Sequence, residues 1–320
     1  MLNMTPSNSH AAANGRLARK MAEKVTLVVE HQLDTDPSPF MEDLVRLLDP
    51  TITEVTLIHA MSDILSGLPA NPNEPKSFSN MIREREKRSD EQRGGIRKVL
   101  ASSRYTLRNE KNCSMQEECA AQIADYLWEK GQDLLVISSS QPASQKLTLR
   151  SHFASYLATH APCSTLVLRK PLLKNRKTLK VMLAVDSSDA TMTAVSKLGD
   201  LIRPENMEVI LVTVQSPMYS ENAVIAPFVN PEVIDQAMAA NANMVFQMAS
   251  DTLEAKHIRV IESRKLIGSP ATEIGYLAEL EHPDLVVVGS HNKKGFLAWL
   301  TGSVSGQLLH WGNHNILVVR

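Results

Sequence analysis

The sequence has few aromatic residues and almost no net charge, and both shortages limit its possible functions. Phe, Trp and Tyr together make up 4% of the 320 residues, and 34 basic residues face 35 acidic ones for a formal net charge of -1. Proteins that bind nucleic acids need an excess of positive charge, and many of them add aromatic side chains that stack on bases. The composition therefore predicts no nucleic-acid partner.

Cysteine is also scarce, and long apolar runs are missing. The chain has three cysteines, Cys113, Cys119 and Cys163, without metal-ligand spacing, which predicts free thiols in a reducing compartment. No apolar run approaches the roughly 20 residues of a membrane span. Residues 1–22 lack the apolar centre of a secretory signal. We therefore expect a cytoplasmic protein without a membrane partner and with a flexible tail at 1–22; a transit peptide is the alternative for that tail.

The chain contains one segment twice. Residues 133–169 align with residues 284–320 without a gap, at a constant offset of 151 positions. An ungapped match of this length indicates one supersecondary unit that is used twice. We therefore predict two domains, at residues 23–170 and 179–320, joined by a short basic linker.

Short apolar runs alternate with helical patterns in both halves. In the second half the predicted strands are 180–185, 208–214, 259–266, 284–288 and 315–319, and the predicted helices are 189–202, 231–256, 268–280 and 303–311. In the first half the predicted strands are 25–29, 54–60, 133–137 and 165–168, and the predicted helices are 79–101 and 114–129. Strands that alternate with helices are typical of a parallel sheet covered on both faces.

The segment after the fourth strand of the second half is typical of a phosphate site. Gly289 begins a loop, and Gly302 and Ser303 begin the next helix. Amide groups at the start of a helix, preceded by glycine, can bind phosphate oxygens, and Ser303 adds a hydroxyl. The first half has Ser138 in place of Gly289. We therefore expect the two halves to have different roles.

The element order and this spacing resemble the universal stress protein family in its tandem two-domain form. Members that bind nucleotides have Gly, two residues, Gly, nine residues, Gly and then Ser or Thr after the fourth strand. This sequence matches at Gly289, Gly302 and Ser303, and it has Asn292 where the middle glycine is expected. The resemblance implies an α/β fold of two tandem open five-stranded parallel-sheet domains, with strand order 3-2-1-4-5 and helices on both faces.

The resemblance also implies the rest of a nucleotide site. Asp186, at the end of the first strand of the second half, is expected near adenine and ribose, and Val214 is expected to line the adenine pocket. His291 lies beside the loop, and Val304 and Ser305 continue the helix start. The implied ligand is ATP or a related adenine nucleotide, with or without Mg²⁺, bound by the second half.

In the first half every motif position has changed, so we expect a degenerate domain that packs against its twin. The family associates through its fifth strands, so residues 165–168 and 315–319 should pair as an intramolecular pseudo-dimer, with a homodimer as a further possibility. The sequence has no Walker, nucleophile-elbow or His-Glu-x-x-His motif, and we predict no enzyme. The predicted function is a stress-response sensor or adaptor. A non-binding structural or interaction protein of the same fold and a weak ATP hydrolase are the alternatives.

Overall fold

The computed structural model describes residues 23–31, 38–49, 53–61, 75–114, 117–138, 149–172, 178–203, 207–216, 230–290, 304–311 and 313–320. Its strands are β1 (Lys24–His31), β2 (Glu54–Met61), β3 (Thr106–Ser114), β4 (Leu134–Ser138), β5 (Ser164–Leu168), β6 (Leu179–Ala184), β7 (Met207–Gln215), β8 (Arg259–Ile267), β9 (Leu285–Gly289) and β10 (Ile316–Val319). Its helices are α1 (Ser38–Leu47), α2 (Pro75–Ser102), α3 (Glu117–Lys130), α4 (Leu149–His160), α5 (Asp189–Leu201), α6 (Pro231–Ala255), α7 (Pro270–Glu281) and α8 (Val304–Trp311).

The described strands form one continuous sheet in the order β3-β2-β1-β4-β5-β10-β9-β6-β7-β8. Within each half all neighbouring strands are parallel and follow the predicted order 3-2-1-4-5. The α/β fold is therefore confirmed. The two five-stranded sheets are joined edge to edge into a single sheet, as the predicted pairing of their fifth strands requires.

The two halves meet where β5 and β10 pair in antiparallel register. Ile316 lies opposite Val167, and Val318 lies opposite Thr165. Every residue of both strands is buried. The predicted pairing of the two last strands is confirmed, and it closes two apolar edges that would otherwise be open to other chains.

The arginine that ends each copy of the repeat reaches into the other half. The Arg169 guanidinium donates to the carbonyl of Leu309 in α8. The Arg320 guanidinium donates to the carbonyl of Ala158 in α4, with a nitrogen–oxygen distance of 2.6 Å. The two pairs are related by the offset of the repeat. Each arginine thus binds a carbonyl in the last turns of a helix in the other half, where the helix dipole favours a cation.

The aspartate that begins each copy fixes the first strand of its own half. An Oδ2 atom of Asp133 accepts from the amide of Lys24 at 2.9 Å, and Oδ2 of Asp284 accepts from the amide of Lys180 at 2.8 Å. The amide of each aspartate donates back to the carbonyl of the same lysine. These reciprocal bonds hold β1 beside β4 and β6 beside β9, so the repeated aspartates have a structural role.

Helices cover both faces of the sheet, as predicted. One apolar core joins α1, α2, α5 and α6 to one face, and it includes the fully buried Leu27, Ile96 and Leu183. The other joins α3, α4, α7 and α8 to the opposite face, and it includes Ile137 and Val286. None of the described helices is long and apolar enough to cross a membrane.

Three elements of the first half, β3, α1 and α4, are absent from the sequence prediction. Strand β3 reads TLRNEKNCS and lies at the edge of the sheet, so its exposed polar side chains give no apolar alternation. The helix predicted from residue 114 begins at Glu117, because residue 114 still belongs to β3. The tail 1–22 and most of the linker lie outside the described residues.

The prediction of free cysteines is correct for Cys163 and wrong for Cys119. Cys163 is free and buried, and its burial raises the pKa of the thiol to about 11. Cys119 is disulfide-bonded. A small and odd number of cysteines excludes a disulfide framework, but it does not exclude a single bridge.

Candidate functional site

Strands β6 and β9 lie side by side in the second half, and the chain leaves them towards opposite faces of the sheet. Strand β6 continues into α5 on one face, whereas the helix that follows β9, α8, packs on the other. This is a topological switch point. Open parallel α/β sheets bind their ligands in the crevice outside the carboxyl ends of the strands at such a point.

The strand register brings three of the predicted site residues to this edge. Ala184 of β6 pairs with Val212 of β7, so Asp186, two residues after β6 ends, lies beside Val214. On the other side of β6, Leu183 pairs with Val287, so Gly289 lies beside residue 185, next to Asp186. The predicted Asp186, Val214 and Gly289 thus lie at the ends of three adjacent strands, at the same edge of the sheet.

Asp186 is exposed and organises the turn between β6 and α5. Its Oδ1 atom accepts from the Ser188 amide at 2.9 Å, the Ser188 hydroxyl at 2.5 Å and the Thr191 hydroxyl at 2.6 Å. Ser188 is also the N-cap of α5, since its hydroxyl accepts from the amide of Thr191 at 3.3 Å. The carboxylate is thus held in one orientation by three donors.

Gly289 packs against the backbone of α5. A Cβ atom at this position would lie 2.5 Å from the carbonyl oxygen of Ala190 and 2.9 Å from the amide nitrogen of Thr191. Real Cβ atoms essentially never approach other atoms so closely. From the sequence, a glycine at position 289 is expected because it lets a phosphate approach the backbone. The structure adds a second reason, since only glycine allows the close contact between the end of β9 and the first turn of α5.

The exchange of Gly289 for Ser138 between the halves is consistent with this contact. In the second half residues 185–188 join β6 to α5, and this short connection brings the start of α5 to the end of β9. Residues 32–37, between β1 and α1 of the first half, lie outside the described residues. Ser138 is buried at the corresponding position of β4.

The remaining predicted residues are only partly described. Val214 and Val304 are half-buried and pack against the core beneath α7 and α8, and Ser305 is buried in the first turn of α8. The described part of that helix runs from Val304, and the predicted first residue, 303, lies outside the described residues. The predicted site residues at positions 291, 292, 302 and 303 lie outside the described residues.

Sequence reasoning did not identify Thr191 as part of this site. The bond from Thr191 back to Asp186 spans a turn and follows no periodic pattern. In the part of the chain that the structure describes, no group of three or more His, Cys, Asp or Glu residues is arranged to hold a metal ion.

Comparison with known proteins agrees with the fold. Residues 178–320 match the sequence model of the Universal stress protein family. The matched segment includes the ends of β6 and β9 and is similar to a universal stress protein domain. No curated protein sequence matches the chain.

Solved structures share the fold over nearly the whole chain. A universal stress protein from Archaeoglobus fulgidus DSM 4304 has a TM-score of 0.57 and 11% identity, covering 92% of this chain and 96% of that one. A functionally unknown protein from Pseudomonas aeruginosa PAO1 has a TM-score of 0.56 and 12% identity, covering 94% of both chains. Shorter structures match only part of the chain. One of them, a universal stress protein in complex with cAMP, has a TM-score of 0.34 and 20% identity, covering 45% of this chain and 98% of its own.

Proposed function

We propose that the second half binds ATP or a related adenine nucleotide at the carboxyl edge of β6 and β9. The observation that carries this proposal is the alignment of Asp186, Val214 and Gly289 on adjacent strands of a universal stress protein domain. Asp186 offers a fixed and exposed carboxylate to ribose hydroxyls or to the adenine amine. Val214 offers half-buried apolar surface to the base.

The charges in this crevice determine the direction of the bound nucleotide. The carboxylate of Asp186 repels phosphate, so the base and ribose belong at the β6 side. The phosphates belong at the start of α8, where the amides and the helix dipole favour anions. Gly302 and Ser303 are the residues that the sequence predicts there. We propose no protein ligand for Mg²⁺, which would accompany the phosphates.

We propose that the whole chain is a cytoplasmic sensor or adaptor in the stress response, without turnover of the nucleotide. In this proposal residues 23–170 form a structural domain and residues 179–320 the binding domain. The contact between them rests on β5–β10 pairing and on Arg169 and Arg320, which each bind the other half. An intramolecular pseudo-dimer of this kind gives one binding domain a partner within the same chain.

A structural or interaction protein of the same fold is the second candidate. It is favoured by the intrachain roles of two site residues, since Gly289 packs on α5 and Asp186 holds the start of that helix. Both residues would be needed for folding even without a ligand. Nucleotide binding itself therefore has to be measured.

Two measurements separate the candidates. Mass spectrometry of small molecules released from the purified protein should find an adenine nucleotide. Titration with ATP should show binding to the wild type and loss of binding in Gly302→Gln. Binding should be retained in Ser151→Gln, which introduces the same side chain at the corresponding position of the first half. A wild type that binds no ATP at millimolar concentration would establish the second candidate, and unchanged binding in Gly302→Gln would contradict the predicted phosphate position.

A further inference from the structure

We infer that Thr191 is a positioning residue of the nucleotide site and acts through Asp186. Thr191 is 5% exposed, and its hydroxyl lies 2.6 Å from Oδ1 of the Asp186 carboxylate. This inference rests on the proposed function, because it assigns Thr191 a role in the affinity of that site.

An exposed aspartate on a turn ordinarily samples several side-chain rotamers. Binding a ribose or an adenine amine would then include the cost of ordering that side chain. Here the donors from Ser188 and Thr191 converge on one carboxylate oxygen and fix the plane of the group before any ligand arrives. Ser188 is half-buried and its hydroxyl also caps α5, whereas Thr191 is buried in the first turn of α5 and ties the carboxylate to the helix.

The position of Thr191 is itself set by Gly289. The α-carbon of Gly289 lies so close to α5 that a Cβ atom would come within 2.9 Å of the Thr191 amide nitrogen. Gly289 of β9, Thr191 of α5 and Asp186 after β6 therefore form one connected unit across the crevice. The first half has Ser138 in place of the glycine. The same unit is therefore not expected there, in agreement with a single nucleotide site in the second half.

The substitution Thr191→Val tests this role, because it removes the hydroxyl and keeps the shape of the buried side chain. We expect the dissociation constant for ATP to rise roughly 3-fold, part of the cost of ordering one side chain on binding, because the two donors of Ser188 remain. Thr191→Ser keeps the hydroxyl and should stay within about twofold of the wild type. Thr193→Val makes the same change two residues further along α5, where no bond to Asp186 exists, and it should leave the affinity unchanged.

A double-mutant cycle separates positioning from a general effect on folding. In an Asp186→Ala background the loss caused by Thr191→Val should shrink to less than about twofold, because the group that Thr191 orients has been removed. The NMR chemical shift of the Asp186 carboxyl carbon gives a second readout without nucleotide. Thr191→Val should change it, and Thr193→Val should not.

The outcomes distinguish this inference from the proposed function. If the wild type binds ATP and Thr191→Val binds it equally well, the inference is wrong and the proposed function stands. An equal loss in both the wild-type and Asp186→Ala backgrounds also overturns the inference, since Thr191 would then act independently of the Asp186 side chain. If the wild type binds no ATP, the proposed function and this inference are both wrong. The chemical shift of the Asp186 carboxyl carbon then shows whether Thr191 only stabilises the turn between β6 and α5.

Discussion

Replacement of Gly289 by alanine tests the contact on which the geometry of the site depends. The added Cβ would lie 2.5 Å from the carbonyl oxygen of Ala190, whereas ordinary van der Waals contacts begin at 3.4 Å. The end of β9 and the first turn of α5 must therefore separate by about 0.9 Å. Both are backbone segments within a packed core, so this shift should lower the free energy of unfolding by about 1–3 kcal/mol.

The same shift should weaken ATP binding, because it moves Thr191 relative to Asp186. Urea denaturation and ATP titration of Gly289→Ala measure the two effects separately. Gly94→Ala is the matched control, since a Cβ at Gly94 of α2 meets nothing within 4 Å. That variant should be more stable than the wild type by about 0.5–1 kcal/mol. A Gly289→Ala protein with wild-type stability would refute the packing argument, and lost stability with unchanged ATP affinity would refute the link from Gly289 to Asp186.

Two further predictions concern the contact between the two halves and the pH dependence of stability. Arg320→Met removes the donor to the helix carbonyls of the first half and should lower the unfolding free energy by about 1–3 kcal/mol. The control Arg259→Met, in an exposed ion pair, should change it by less than about 0.5 kcal/mol. Equal effects of the two substitutions would show that the Arg320 contact between the halves does not stabilise the fold. Lys180 donates to Glu281 at 2.9 Å and holds the pKa of that carboxyl below its ordinary value. A lowered folded-state pKa contributes stability above the ordinary glutamate pKa of about 4.3, which is lost as the pH falls through the lower folded value. Glu281→Gln should therefore be less stable than the wild type at neutral pH and approach it in acid. A constant difference in unfolding free energy at both pH values would show that the ion pair is not the cause.

The sequence predicted the strands that are buried on both faces. Strands β6, β7 and β9 read as continuous apolar runs because helices cover them on both sides. Strand β3 gave no such signal, since it lies at the edge and carries exposed polar side chains. Strand β8 at the other edge was predicted, because it keeps apolar residues such as Val260 and Leu266. An edge strand is therefore missed where its sequence has too few apolar residues to form a pattern.

The repeat showed that two halves exist but not what its matched residues do. The partners of Arg169 and Arg320 lie in the opposite half, and no pattern within one copy reveals that exchange. For the site, the family motif predicted Asp186, Val214 and Gly289 at one edge. It did not predict Thr191, because its bond to Asp186 and its contact with Gly289 depend on the short turn between β6 and α5.

The central claim is a single adenine nucleotide site in the second half, and calorimetric titration of the full chain with ATP tests it most directly. The account predicts a stoichiometry near one for the wild type and a clear loss of affinity in Asp186→Asn. Glu30→Gln, near the carboxyl end of the first strand of the first half, should bind ATP as the wild type does. Two equivalent sites per chain, an Asp186→Asn protein with wild-type affinity, or no binding at millimolar ATP would each contradict the account.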